Sequence, residues 1–170
     1  MFTLIGIIVI LLGTFSQYAL ADTTPAFVIQ WGVYGLQTNG QFAFPQGIAV
    51  DSSGNVYVTD QGNRRVQQFD NDGNFKFAWG TTGSGNGTFH DPEGIAVGND
   101  SIYVVDNELD SVQKFNMNGQ FVTQWGTKGT GNGQLLAPQG VAVDSQGNVY
   151  VVDTGNSRIQ KFNSNGNFLS

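Results

Sequence analysis

The amino-acid sequence predicts an all-β fold, a β-propeller built of four-stranded antiparallel blades, with three blades' worth of strands in this chain. Three observations carry that expectation. One string is written three times: PQGIAVDSSGNVYVTDQGNRRVQQF from Pro45 to Phe69, PEGIAVGNDSIYVVDNELDSVQKF from Pro92 to Phe115, and PQGVAVDSQGNVYVVDTGNSRIQKF from Pro138 to Phe162. Trp31, Trp79 and Trp125 close matching aromatic runs 48 and 46 positions apart, and a period of that size marks a solenoid or a propeller. Each period holds four short runs rich in β-branched and aromatic residues, divided by Asp, Asn and Gly. Beyond the N-terminal segment no window shows the 3,4-spaced apolar pattern of a helix.

In chain order, residues 1–21 read as a secretory signal peptide. The apolar run Leu4 to Leu12 is followed by polar Thr14, Ser16 and Gln17, then by Ala19-Leu20-Ala21 as a cleavage motif. No Lys or Arg precedes the run, so only the α-amino group supplies positive charge there. The rival reading is an uncleaved N-terminal anchor, but a spanning helix needs about 20 apolar residues and this run is shorter. The expectation is a secreted, extracytoplasmic protein without a membrane span after cleavage. Residues 22–25 form a lead-in, and residues 26–170 a propeller segment with repeats at about 32–79, 80–125 and 126–170.

The first unit shows the pattern. Its strand a runs from Gly47 to Val50, and an Asx/Gly turn over Asp51 to Asn55 leads to strand b, Val56 to Thr59. The polar loop Asp60 to Arg64 leads to strand c, Val66 to Phe69, and the turn Asp70 to Asn74 leads to strand d, Phe75 to Trp79. The run Phe27 to Gly32 matches Phe75 to Gly80 and Phe121 to Gly126, and so reads as a further d strand. Between d and the next a lie Gly-rich connectors, Gly80 to Asp91 and Gly126 to Ala137, beneath which Phe44, Phe89 and Leu135 are expected to tuck. A phosphate-cradling glycine loop would be followed by a helix, and none follows here.

Composition narrows the function classes. The net charge of -6 and only seven Lys and Arg residues, scattered apart from the pair Arg64-Arg65, argue against nucleic acid as a partner. Zero cysteines exclude a disulfide scaffold, a thiol nucleophile and a Cys-ligated metal.

The order WG…G…FxxPxGIAVDxxGNVYVxDxxNxRIQxFxxxGxF resembles the NHL repeat. The first and third copies hold nearly all of it, through Asp51, Asp60, Asn63 and Arg65, then Asp144, Asp153, Asn156 and Arg158. The second copy departs: Gly98 replaces the strand-a Asp, the a–b turn is one residue shorter, and Leu109 and Ser111 replace Asn and Arg. The resemblance implies the propeller fold, usually of six blades, and it leaves activity open, because such repeats serve RNA-binding regulators, extracellular sensors and an amidating lyase. A ring needs about four to eight blades. Three blades therefore fit a piece of a longer reading frame, a homodimer closing a six-bladed ring with Phe27 to Trp31 of one subunit as the other's last d strand, or an open stack.

In an up-and-down blade the b–c loops and d–a connectors share one face, where propellers commonly bind. Residues that recur from blade to blade read as architecture: Asp60, Asp106 and Asp153, present in all three, shape the b–c loops, Arg65 and Arg158, present in two, pair with them or between blades, and Trp31, Trp79 and Trp125 belong to the core. The sharper reading of the three aspartates is a carboxylate ring holding Ca²⁺; otherwise no cofactor and no metal site is expected. Departures from the repeat are the better ligand-binding candidates, namely Arg64, His90, Asp91, Glu93, Asn107, Glu108, Asp110 and Lys128. His90 is the sole histidine, too few for an open catalytic zinc, which takes about three protein ligands. No catalytic residue is assigned. The sequence thus points to a secreted or surface-exposed binding module for a protein or small polar ligand. The alternatives are an extracytoplasmic lyase or hydrolase, Ca²⁺-dependent in one form, and a structural assembly module.

Overall fold

Short Asx-nucleated turns cut the chain into strands. At the first a–b turn Asp51 Oδ1 accepts the N–H groups of Ser53 and Asn55, both at 2.9 Å, and Asp144 repeats this with Gln146 and Asn148. Asp70, Asn116 and Asn163 do the same at the c–d turns. A side-chain oxygen that takes two backbone donors reverses the chain without leaving them unpaired. The second unit, which lacks the strand-a Asp, instead turns through Asn99 and Asp100 at φ 49° and 53°, the left-handed pair of a two-residue hairpin.

This computed structural model describes residues 29–170. Residues 1–21, expected from the sequence to be a signal peptide, the lead-in 22–25 and Phe27 lie outside the described residues. Within them β1 (Val33–Tyr34) and β2 (Gln41–Phe42) pair in parallel inside the first connector. The first blade then follows as β3 (Pro45–Val50), β4 (Val56–Asp60), β5 (Arg65–Phe69) and β6 (Phe75–Trp79), hydrogen-bonded in that order. The second blade repeats it as β7 (Pro92–Gly98), β8 (Ser101–Asp106), β9 (Ser111–Asn116) and β10 (Phe121–Trp125). The third holds β11 (Gly140–Val143), β12 (Val149–Asp153) and β13 (Arg158–Phe162). All pairings within the blades are antiparallel, so the chain is a partial propeller of the predicted four-stranded design.

The start of a fourth strand flanks β13. Phe168 bridges Phe162, and Leu169 N–H reaches Lys161 O at 2.8 Å. The strand expected from Phe27 to Trp31 is not formed over the part described, Ile29 to Trp31. Trp31 nevertheless packs on Phe69 as a strand-d tryptophan does, at 6.4 Å between rings, against 5.7 Å for Trp79 on Phe115 and 5.8 Å for Trp125 on Phe162.

The core lies between blades. Tyr57, Val66 and Trp79 of the first blade pack on Ile95, Ile102, Val104 and Phe115 of the second. Tyr103, Val105, Val112 and Trp125 of the second pack on Val149, Val151 and Phe162 of the third. Alternation along each strand thus sends one set of side chains to the preceding blade and the other to the next.

One expectation about the connectors is corrected. Phe89 and Leu135 are buried beneath theirs, but Phe44 is 70% exposed. The buried residues stand three positions before the proline, and Phe42 holds that place in the first unit, 5.5 Å from the Phe69 ring. Phe44 directly precedes Pro45 and adopts φ 53°, a conformation that turns it outward.

Candidate functional site

The end of strand b fixes the loop face. Asp60 Oδ1 accepts the N–H of Ala43 at 2.7 Å, Asp106 Oδ2 that of His90 at 2.8 Å, and Asp153 Oδ1 that of Leu136 at 2.7 Å. Each acceptor therefore pins the connector two residues before its proline. In the first and third blades the second carboxylate oxygen gathers three side-chain donors. Asn63, Arg65 and Gln67 meet Asp60 Oδ2 at 2.8, 2.8 and 3.1 Å, and Asn156, Arg158 and Gln160 meet Asp153 Oδ2 at 2.9, 2.8 and 3.0 Å. The two arginines continue to connector carbonyls, Arg65 to Thr38 and Gln41, Arg158 to Gly131 and Gln134. These are charge-assisted, geometrically fixed contacts of a structural kind.

The second blade is built differently. With Leu109 and Ser111 in place of Asn and Arg, Asp106 accepts backbone N–H groups from His90, Asp91 and Leu109. Burial raises its pKa, those N–H bonds lower it, and Asp91 beside it raises it again; the balance lies above the usual carboxylate value. Burial also pushes Asp153 up, but Asn156, Arg158, the Leu136 N–H and Gln160 outweigh it, and the balance lies below.

Of the eight ligand-binding candidates, four link neighbouring blades. Arg64 Nε donates to His90 O at 3.1 Å, Asp91 accepts from Gln61 Nε2, Asn107 Nδ2 donates to Pro138 O at 3.3 Å, and Asp110 Oδ1 accepts the Ala137 N–H at 2.8 Å. Arg64 and Asp110 sit at the same blade position as Ser157, all three left-handed at φ 50–52°, which aims the side chain at the next blade's connector in the first two. The side chains of the other four candidates stay outside this network, although the His90 and Glu93 carbonyls accept from Arg64 and Thr59. His90 Nδ1 lies 3.5 Å from Glu108 Oε1 on the surface, Lys128 is exposed, and Glu93 stands at the entrance between blades.

Glu93 follows Pro92, the first residue of β7, as Gln46 and Gln139 follow Pro45 and Pro138. These three side chains, with Gly47 and Gly94, line a shallow cavity of about 240 Å³ at the loop-face end of the inner strands. Burial first, then the carboxylates of Asp91 and Asp106, push the Glu93 pKa above its usual value. The glutamines were not singled out from the sequence, although their place after each proline was a signal for them. Among the described residues no cluster of three or more His, Cys, Asp or Glu side chains is close enough to hold a metal, and Asp60, Asp106 and Asp153 each serve their own connector.

Strand count, blade order and the repeated carboxylate clamp define a β-propeller segment. The NHL repeat family model matches residues 42–69 and 135–162, and these two stretches are NHL repeats. The chain is 37% identical over 68 residues to Protein brain tumor of Drosophila melanogaster, covering 40% of this chain and 6% of that protein. It is similar in fold to virginiamycin B lyase from Staphylococcus aureus, with a TM-score of 0.58 at 16% identity, covering 74% of this chain and 40% of the lyase. It is similar in the same way to a chain of a nidogen/laminin complex, with a TM-score of 0.55 at 23% identity, covering 74% and 48%. The chain thus spans under half of these solved chains and a small fraction of the curated relative.

Proposed function

We propose that this chain is a secreted or surface-exposed NHL-repeat recognition module that binds a protein or small polar ligand on its loop face. The observation that carries the reading is the set of polar groups left outside the inter-blade network. These are Glu93 between Gln46 and Gln139 at the axial cavity, the His90–Glu108 pair, and Lys128. A concave site with a few polar groups, here Glu93, Gln46 and Gln139, is the form ligand sites take, and the Glu93 carboxylate favours a cationic group on the ligand. The nidogen/laminin complex is a protein–protein assembly by its title, and that fold likeness agrees with a protein partner. The fold likeness to a lyase, at 16% identity, supports the propeller and supplies no chemistry.

The reading includes export, with cleavage after Ala21, and assembly into a six-bladed ring by a second copy. It assigns no cofactor, and Ca²⁺ enters only as a probe. A thermal-shift screen of the purified chain against basic peptides and small polar compounds tests the site. Hits are expected to be lost in Glu93→Ala and weakened in Glu108→Ala and Lys128→Ala, and kept in Gln146→Ala on the opposite face. Hits indifferent to all three loop-face changes would sink the reading. N-terminal sequencing of the exported product tests cleavage, and Ca²⁺-dependent melting would shift the weight to the Ca²⁺-dependent alternative.

A further inference from the structure

The two ends of the blade stack are apolar in a matched way. Val112 of the second blade is 0% exposed beneath the third, whereas Ile159, its counterpart on β13, is 66% exposed. The partners opposite them, Val105 and Val152, show the same contrast, buried against exposed. At the other end Ile95 is 6% exposed beneath the first blade, and its counterpart Ile48 on β3 is 65% exposed. Trp31, Phe42, Ile48 and Val58 line a groove of about 370 Å³ there.

The same contrast holds along the inner strands. A Cβ at Gly47 would strike the carbonyl of Glu93, and one at Gly94 would strike that of Gln139, so glycine is required where each blade meets the next. Gly140 keeps the glycine, although a Cβ there would meet only Val152 of its own blade. Thr154 and Ser157 likewise occupy the places from which Gln61 and Arg64, then Asn107 and Asp110, reach the following connector. The third blade is thus shaped to receive the face that the first blade displays.

From this we infer that Tyr150, Val152 and Ile159 of one copy dock against Phe42, Ile48 and Val50 of a second, twice over, closing a ring of six blades. What covers the equivalent faces inside the chain identifies the occupant: each exit face meets an NHL-type entry face, and this chain presents one. The contact is heterologous, and a twofold arrangement makes it close. Phe168 to Ser170 already lie along β13. The partner's Trp31 is therefore placed at the end of that strand, as Trp125 ends β10, rather than at the end of a complete donated strand. This inference rests on the assembly part of the proposed function and is independent of the ligand.

Size-exclusion chromatography with light scattering on the purified chain tests it over a range of concentrations. Twice the chain mass is expected. Ile159→Asp and Ile48→Asp, both at exposed positions of the isolated chain, are each expected to lower the mass toward that of one chain. Mixing the two variants restores one intact interface, and a heterodimer is expected from the mixture alone. A folded wild-type monomer at every concentration, a dimer indifferent to both substitutions, or open-ended oligomers would each overturn the closed pair. Circular dichroism of both variants separates lost association from lost folding, and a folded monomeric variant counts for the interface. If either unfolds, Gly140→Val, which leaves the second blade's contacts untouched, takes its place with the same expected loss of mass.

Discussion

Asp106 and Ser111 stand directly opposite each other across β8 and β9, and the Ser111 hydroxyl is buried without a hydrogen-bond partner. The corresponding pairs, Asp60–Arg65 and Asp153–Arg158, are joined at 2.8 Å. The surrounding frame is otherwise the same. Gln67, Gln113 and Gln160 donate to the carbonyls of Gln41, Thr88 and Gln134 at 2.7, 2.7 and 2.6 Å. Leu109→Asn with Ser111→Arg should therefore rebuild the clamp and stabilise the fold by about 1 kcal/mol, a typical net value for hydrogen bonds gained. Ser111→Arg alone should gain less, because Leu109 lacks the side-chain donor that Asn63 and Asn156 supply to the other two carboxylates. Urea unfolding of both variants checks this, and a double variant with a lower midpoint than the single one would refute it.

Removing an existing clamp should cost more than installing a new one yields. Arg65→Ala leaves the buried Asp60 carboxylate without its cation, a loss of about 3 kcal/mol or more. Arg158→Ala should cost less, because its side chain is 29% exposed against 6% for Arg65 and water can replace it. Equal losses in urea melts would show that exposure does not set the difference.

The fold was legible because its determinants are local and recur. The alternation of Val56-Tyr57-Val58, the Asx turns at Asp51 and Asp144 and the three tryptophans each state a blade position without long-range information. The site was less so. Arg64, Asp91, Asn107 and Asp110 break the repeat as ligand-binding residues would, yet they contact the neighbouring blade. Inter-blade contacts vary with both partners, so no single copy displays them as a pattern. Phe44 differs for another reason: two phenylalanines flank Ala43, and only packing shows that Phe42 is the one beneath the connector.

Gly119 offers a test of the blade core. It takes φ 73° in the c–d turn, and a Cβ there would lie 2.8 Å from the Trp79 ring. Gly119→Ala thus combines left-handed strain, of order 1–3 kcal/mol, with displacement of an indole that packs on Phe115. The expected result is a lower melting temperature with altered tryptophan emission, while Gly85→Ala in the exposed connector, where only the Thr88 hydroxyl approaches at 4.0 Å, should leave the emission unchanged.

The pH profile should separate two kinds of carboxylate. Asp144 is held down to about 2, first by Asn148 and further by the N–H groups of Asn148 and Gln146 and by Tyr150. Asp51, Asp70 and Asp153 are also lowered. A lowered folded pKa gives stability that is present above the unfolded value, 3.8 for Asp, and is lost as pH falls through the folded one. These four should therefore set an acid limb below about pH 4, shallower in Asp144→Asn. Glu93 works in the opposite sense. Its raised pKa contributes stability below the unfolded value of 4.5, and that contribution disappears as pH rises through the folded value. Glu93→Gln, which installs the residue found at Gln46 and Gln139, should melt higher than wild type at neutral pH and converge on it once Glu93 is protonated. A difference that persists unchanged in acid would assign the gain to packing rather than to the buried charge.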